Sequence, residues 1–434
     1  MSVNKNANFR EEHSWAQYIL SKTTYNWLRE KRDADDTNGL WRIHDDLYDL
    51  TSFINKHPGG KFWIEATKGM DVTEAFESHH IKSDAHLNLL PNFYVEKATK
   101  PRTSPYTFND DGFYRTLKRK VRPVLKTLPK DCHKTSDLYT DLLLLTALGT
   151  ACLANYFFSY AIAVASGITI GLLIIATHNY THQRDNFRMF YSDTFMASSR
   201  GFRIIHIISH HLRPNSVTDL QFLANLPVMN PYPEKKSFYV KHFVWLNFIL
   251  MCPLLVYTST FLNIIETIIT KKNYKPFILP FIVPLLMYSL GGQTFMSTLY
   301  MWQVITVCSS ITVGMISFTT SHVHPDLYVE GDAPRPKEEM DWGINQLDTV
   351  YDRKEFIGRH FLSLVTFGDH ALHHLFPTLD HGYIIHLYPL LMETLKEFNI
   401  KNFNITTHSD LYMGFFKQMR REIPKLLPPM LPAK

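Results

Sequence analysis

At 434 residues with a net charge of +5, the chain is long enough for two or three domains with a substantial core, and too weakly basic to read as a nucleic-acid binder. A mean hydropathy of −0.14 looks soluble only because a polar first hundred residues is averaged with apolar runs that begin after residue 137. The four cysteines (Cys132, Cys152, Cys252 and Cys308) have no CxxC spacing and three fall in apolar runs, which argues against a disulfide framework and for buried thiols in a reducing compartment.

Residues 1–35 read as an arm with scattered aromatics (Trp15, Tyr18, Tyr25, Trp27) that packs on the next domain. It lacks the apolar stretch of a secretory signal, so the first domain is expected to stay in the cytosol. From Leu40 a strand-like LWRI leads through an acidic turn into a helix at Leu50–Asn55, and HPGG then breaks the chain. Pro58 fixes its own φ while Gly59 and Gly60 permit close approach, so this loop can offer His57 to a flat ligand. Asp45, Asp46, Asp49, Glu65, Asp71, Glu74 and Glu77 give this region an acidic surface suited to a basic partner, or simply a solvated face.

Residues 99–137 open as a Pro-containing linker and become basic, with eight Lys or Arg against one Asp in RTLKRKVRPVLKTLPKDCHK. Ahead of an apolar run, this fits the positive-inside bias and predicts contact with anionic lipid. Leu142–Thr177 is 36 residues without a charge. A single helix of that length would be roughly 54 Å long against a bilayer core of about 30 Å, so a hairpin turning near Asn155–Ser159 is expected. Two further uncharged runs follow, Phe243–Ile265 and Phe277–Ser321, the latter broken by Gly291 and Gly292. If the histidine clusters on either side of these runs share one site, an even number of crossings separates them. Phe277–Leu290, with Pro280 and Pro284, is then expected to be the segment that does not cross. Amphipathic helices are expected around Ile384–Phe398 and Asp410–Met419.

The histidines fall in three clusters: THNYTHQ, HIISHHLRPN and DHALHHLFP. His178 and His182 are four apart, as are His206 and His210 with His211 adjacent, while His370, His373 and His374 stand at i, i+3 and i+4. Such spacing puts imidazoles on one helical face. A lone histidine is usually a satisfied polar side chain. Three clusters beside apolar runs suit a borderline transition metal, iron or zinc first.

LYDLTSFINKHPGG and DVTEAFESHH resemble the signature of cytochrome b5, over roughly Trp41–Val95. The resemblance implies haem b with His57 and His80 as axial ligands, His79 being the rival for the second. Two imidazoles fill both axial positions, which implies outer-sphere electron transfer from a cytochrome b5 reductase-type donor. From about Leu138 to Phe415 the chain resembles the membrane fatty acid desaturases, especially the front-end type with an N-terminal cytochrome b5 domain. The three boxes carry this likeness together with LRPN, SHVHP, DWGINQL and HALHHLFPTLDH.

The architecture implied is an arm (1–35), an α+β cytochrome b5-like haem domain (36–98), a basic linker (99–137), an all-α multi-pass membrane desaturase-like domain (138–400) and an amphipathic tail (401–434). The family further implies two non-haem irons at the cytosolic face of the endoplasmic reticulum membrane, held by His178, His182, His210, His211, His373 and His374 with His322 in addition, and His206 and His370 as further members of the catalytic set. The substrate implied is a fatty acyl lipid desaturated with O2, and membrane lipid is the surrounding partner. Three departures favour the alternative of an electron carrier anchored by a desaturase-like domain that has lost catalysis. The second box is HxxxHH where front-end enzymes usually have HxxHH, which puts Ile207 at the first histidine's position and leaves His206 about 100° away, to be recovered by a local shift. Asn179 stands where Asp is common, which could remove an acceptor that orients a ligand. His370 stands where these enzymes usually carry Gln.

Overall fold

The computed structural model describes residues 22–270, 275–318, 321–400 and 404–429, so Trp15, Tyr18 and the last five residues lie outside the described residues. A three-stranded antiparallel sheet, β1 (Trp41–Ile43), β2 (Asp46–Tyr48) and β3 (Tyr94–Lys97), carries the first unit, with Trp41 opposite Tyr48 and Leu47 opposite Glu96. The expected helix at Leu50–Asn55 is a tight 3-10 turn, Thr51–Lys56, and the short helices Lys61–Ala66 and Thr73–His79 follow HPGG. The arm is not separate from this unit. Its helix Thr24–Asp35 is capped by the Thr23 hydroxyl, which accepts from Asn26 N, and sets Trp27 and Leu28 against Trp41, Ile43 and Met70. Ile204, Ile208 and Leu220 belong to the same core, so the first unit and the second histidine box share one hydrophobic interior.

Lys134–Tyr156 and Tyr160–Thr181 form the expected hairpin, turning at Phe157–Ser159. Phe295–Phe318 packs so closely on Tyr160–Thr181 that a Cβ on Gly167 would stand 2.3 Å from Cys308 Cβ. These three and Val244–Thr270 are, among the described residues, long and apolar enough to cross a membrane.

The contacts of Val244–Thr270 give it a different course. Asn247 reaches Val228 O, Phe248 packs on Phe415, Thr260 donates to Met196 O, and Glu266 accepts from Thr24 and Tyr25. All of these partners sit at the histidine-bearing end of the bundle, so the helix lies across that end. Pro253 bends it where Cys252 O accepts from Ser310, and Trp245, Ile249, Leu254, Phe261, Ile264 and Ile268 form an exposed apolar stripe along it. Phe277–Leu290 instead runs the length of the bundle. Its 3-10 turn Lys275–Phe281 packs beside Phe187–Phe195, while Met287 O accepts from Asn155 at the hairpin's far end. Seven 3-10 residues and ten α residues reach about 29 Å, a bilayer core's thickness. The even count of crossings therefore holds with the two segments exchanged: the earlier helix is the in-plane one, and Pro280 and Pro284 are absorbed in the first turns of a crossing.

The basic linker is also differently employed. Helix Phe113–Thr127 buries Phe113, Tyr114, Leu117 and Val121 and turns its cations to acids of the protein. Arg115 pairs with Glu77, Lys120 with Glu393 and Glu397, and Arg122 with Asp84, so these charges clamp units together instead of facing lipid. The expected C-terminal helices are Tyr388–Glu397 and His408–Arg420.

In a background without the native thiols, His242→Cys and Thr270→Cys should react with a membrane-impermeant maleimide from one side of sealed vesicles, and Gln293→Cys from the other. Labelling of 242 and 270 from opposite sides would contradict the in-plane helix.

Candidate functional site

In the first unit, His57 Nδ1 lies 3.0 Å from Gly60 O and His80 Nδ1 lies 2.9 Å from Phe76 O. A carbonyl only accepts, so both rings carry their proton on Nδ1 and leave Nε2 bare. The two ring centroids are 6.3 Å apart. Two imidazoles on one metal, at about 2 Å per bond with about 1.1 Å from nitrogen to ring centre, would stand about 6.2 Å apart, so the pair fits a metal-centred flat ligand. A Cβ on Gly59 would meet His57 Cε1 at 2.8 Å, and Gly60 sits at a φ of +104° that side chains rarely adopt, so the two glycines of HPGG are needed for different reasons. His79 is turned elsewhere: its Nδ1 bonds the Ser78 hydroxyl and its ring lies 5.9 Å from that of Trp63.

The three boxes converge in a buried core. His178, His182, His206, His211 and His373 form one group and His210, His322 and His374 another, each with its ligand atoms within 4.8 Å of one another. His370 adjoins the second group, its Nε2 2.7 Å from His322 Nε2. Around His178 Nε2, the Nε2 atoms of His206, His182 and His373 stand at 2.8, 2.9 and 3.1 Å. One imidazole nitrogen can share a proton with one neighbour only, so such convergence leaves lone pairs facing lone pairs. The edge of an octahedron with 2.1 Å bonds is about 3.0 Å, and a cation at the centre would turn the conflict into ligation. Burial drives His206 and His210 down to about 3 and holds His211, His322, His370, His373 and His374 well below the ordinary range, so the rings are neutral at pH 7.

His206 reaches this core through its helix. Arg203–His211 is wound as a π-helix, which adds a residue per turn and brings His206 and His211, five apart, onto one face. The extra residue of HxxxHH is thereby absorbed, and Ile207 is buried away from the metal-ligand groups. The rings are oriented from outside. His206 Nδ1 bonds Gln221 Oε1 at 2.6 Å, His210 Nδ1 bonds Asp219 Oδ2 at 2.7 Å, His374 Nδ1 bonds Gln346 Oε1 at 2.9 Å, and His322 Nδ1 donates to Thr349 O at 3.0 Å.

The sequence reading missed Asp219, Gln221 and Gln346 as orienting groups, although SVTDLQ directly after HHLRPN and the DWGINQL segment contain them. Asn179 orients no ligand ring here. Its amide donates to Asp380 Oδ2 at 2.5 Å, and Asp380 also accepts from Ser136, so an Asp at 179 would face a second carboxylate. His324 lies outside both groups, between Asp326 and Asp410.

The first unit is locked to this core. Arg203 is fully buried, its guanidinium 4.7 Å over Trp63 and its Nε donating to Thr181 O at 2.8 Å, beside His182. The Tyr114 hydroxyl stands 3.3 Å from Glu77 O and 3.2 Å from Leu375 O, between His80's helix and the third box. Of the seven acids read as a docking face, Asp71 and Glu74 bind Arg102, and Glu77 binds His44, Arg115 and Lys118. Those three are interior and Asp46 is half-buried, leaving Asp45, Asp49 and Glu65 exposed.

The model of the family "Fatty acid desaturase" matches residues 155–403, and that of the "Cytochrome b5-like Heme/Steroid binding domain" matches residues 24–99. The chain belongs to the fatty acid desaturase family, in the form fused to a cytochrome b5-like domain. Among particular proteins, it is 39% identical over 417 residues to the "Cytochrome b5-related protein" of Drosophila melanogaster, covering 93% of this chain and 92% of that one. It is 26% identical over 434 residues to "Acyl-lipid (8-3)-desaturase B" of Dictyostelium discoideum, covering 87% and 89% of the two chains. The "Cytochrome b5-related protein" of Drosophila virilis is 47% identical over 120 residues, 28% of this chain and 83% of that one. No solved structure matches the chain significantly.

Burial raises the pKa of Glu77, but its bonds to His44 and Arg115 and the charge of Lys118 outweigh this and hold it at about 2, below its ordinary 4.5. A carboxyl with a depressed folded pKa stabilises fully above its unfolded value and loses that contribution as pH falls through the folded one. The melting temperature should therefore drop between about pH 4.5 and pH 2, and Glu77→Gln should lower it at pH 7 while flattening that acid limb. An unchanged acid limb in the variant would remove Glu77 as the clamp.

Proposed function

We propose that the protein is an oxygen-dependent desaturase of fatty acyl chains, in which His57 and His80 hold haem b and nine of the buried histidines hold two non-haem irons. The chain joins a cytochrome b5-type electron carrier to a desaturase unit of lipid metabolism in a membrane. The observation carrying the finer reading is the convergence of neutral Nε2 atoms that have too few protons to satisfy one another. An anchor needs no such arrangement.

Haem b and histidine-bound irons, when present, supply one-electron transfer and oxygen chemistry able to take hydrogen from an unactivated C–H bond. His178, His182, His206, His211 and His373 would hold one iron, and His210, His322, His374 and His370 the other. Asp219, Gln221 and Gln346 keep the His210, His206 and His374 rings turned inward through their Nδ1 sides. Arg203 seals the boundary between the units, tying the Trp63 ring to the end of the first box. With Asp71, Glu74 and Glu77 occupied, a reductase-type donor would meet the acids that remain exposed, Asp45, Asp49 and Glu65. The reading extends to the endoplasmic reticulum, with the haem unit and histidine boxes on the cytosolic side.

Iron and haem measured in one purified sample test this directly. The expected result is about three irons per chain, one of them in haem, with two lost and haem retained when His373 and His374 are both changed to Ala. Haem alone, unaffected by the double change, would make the chain an anchored electron carrier. Asp219→Asn should weaken non-haem iron retention at least about tenfold. Trp63→Leu should keep the haem spectrum and midpoint potential while slowing reoxidation of the reduced haem; an unaltered rate would remove Trp63 from the contact between the units.

A further inference from the structure

A cavity of about 310 Å³ opens where three segments meet: the linker at Tyr106, the loop after the second box at Arg213, and the 328–345 stretch. Arg213, Arg335 and Lys337 line it against one acid, Glu330. The acid is already engaged, accepting from Val217 N at 2.7 Å. Arg335 is held by Asp348 at 2.6 and 2.8 Å. Arg213 and Lys337 have no ion-pair partner among the described residues; the Arg213 guanidinium has the Tyr106 hydroxyl as a hydrogen-bond partner, while its Nε is shielded from solvent without an acceptor. A shielded guanidinium N–H without an acceptor is costly, and a doubly bonding oxyanion is its best complement. Tyr106 adds no competing charge: burial pushes its phenol up to about 12, and its oxygen accepts from Asn345 at 3.0 Å.

The loop that carries Arg213 into the cavity lining is tied to the histidine core. Arg213 stands two residues after His211, and the next side chain but one, Asn215, donates to His322 O at 3.1 Å and Tyr328 O at 2.8 Å. Trp342 Nε1 donates to Leu212 O, fixing the backbone between box and cavity. At the small end of ligand sites, the volume suits a polar head group and not a whole acyl lipid.

We propose that this cavity binds the phosphate-bearing head group of the acyl substrate, with Arg213 as its principal anchor and Lys337 at its mouth. This rests on the acyl desaturase reading. A coenzyme A ester and a phospholipid offer the same phosphate chemistry, and the test separates them. Equilibrium binding of coenzyme A, and separately of monomeric dihexanoyl phosphatidylcholine, is measured on the purified full chain in neutral detergent. One of the two probes should saturate on the native protein, bind about tenfold more weakly to Arg213→Met, and recover in part in Arg213→Lys, with haem absorbance equal throughout. A coenzyme A response assigns a thioester substrate; a phosphatidylcholine response assigns an acyl lipid. No saturable binding, or binding indifferent to Arg213→Met and Lys337→Met, overturns the proposal. Since binding is read without turnover, missing non-haem iron with intact Arg213-dependent binding would sink only the desaturase reading, and full iron with indifferent binding only this one.

Discussion

Everything around the histidine core serves to hold unprotonated nitrogens against one another. Neutral imidazoles at 2.7 to 3.1 Å cannot all be hydrogen-bonded pairs, because each ring has one proton and several already give it to an outer partner. His206, His210, His322 and His374 are pinned in this way from the far side of the ring. The core thus sets lone pairs against one another, and its surroundings (the π-helix, the Asp219 loop, the Gln346 helix) keep these four rings from turning away to relieve it.

The same logic of opposed charges joins the two units. Glu77 is surrounded by His44, Arg115 and Lys118, while Arg102 spans Asp71 and Glu74. Buried pairs of this kind give modest net stability but penalise any arrangement that separates them, because each charge left behind would be unpaired. A shared hydrophobic core, the Arg203–Trp63 contact and the Tyr114 hydroxyl act at the same boundary. The cytochrome-like unit is therefore a fixed wall of the histidine chamber, not a tethered carrier that must find it.

Much of this was legible in the sequence because the informative features were local. HPGG with a histidine before it, imidazoles at helical spacing, and an uncharged stretch too long for one crossing each follow from a few adjacent residues. The misreadings all concern partners distant in sequence. The cations of RTLKRKVRPVLK look like a lipid-facing stripe until Glu77, Asp84, Glu393 and Glu397 are brought to them. Pro280 and Pro284 suggested a segment that stops short, whereas Val244–Thr270, apolar and long, passes every test of composition for a crossing and is turned aside by Val228, Met196 and Thr24. Asp219 and Gln346 could not be singled out because an acceptor for a ring nitrogen is recognisable only once the ring's direction is known.

The π-helix at Arg203–His211 also bears on how such sites tolerate change in length. A surplus residue in an α-helix would ordinarily rotate everything beyond it by about 100° and scatter the ligands. Here the π-wound segment Arg203–His211 takes up the surplus. The count between two such histidines is therefore a poor measure of whether they still meet; the winding between them decides it, and a box that looks broken on paper can be whole in space.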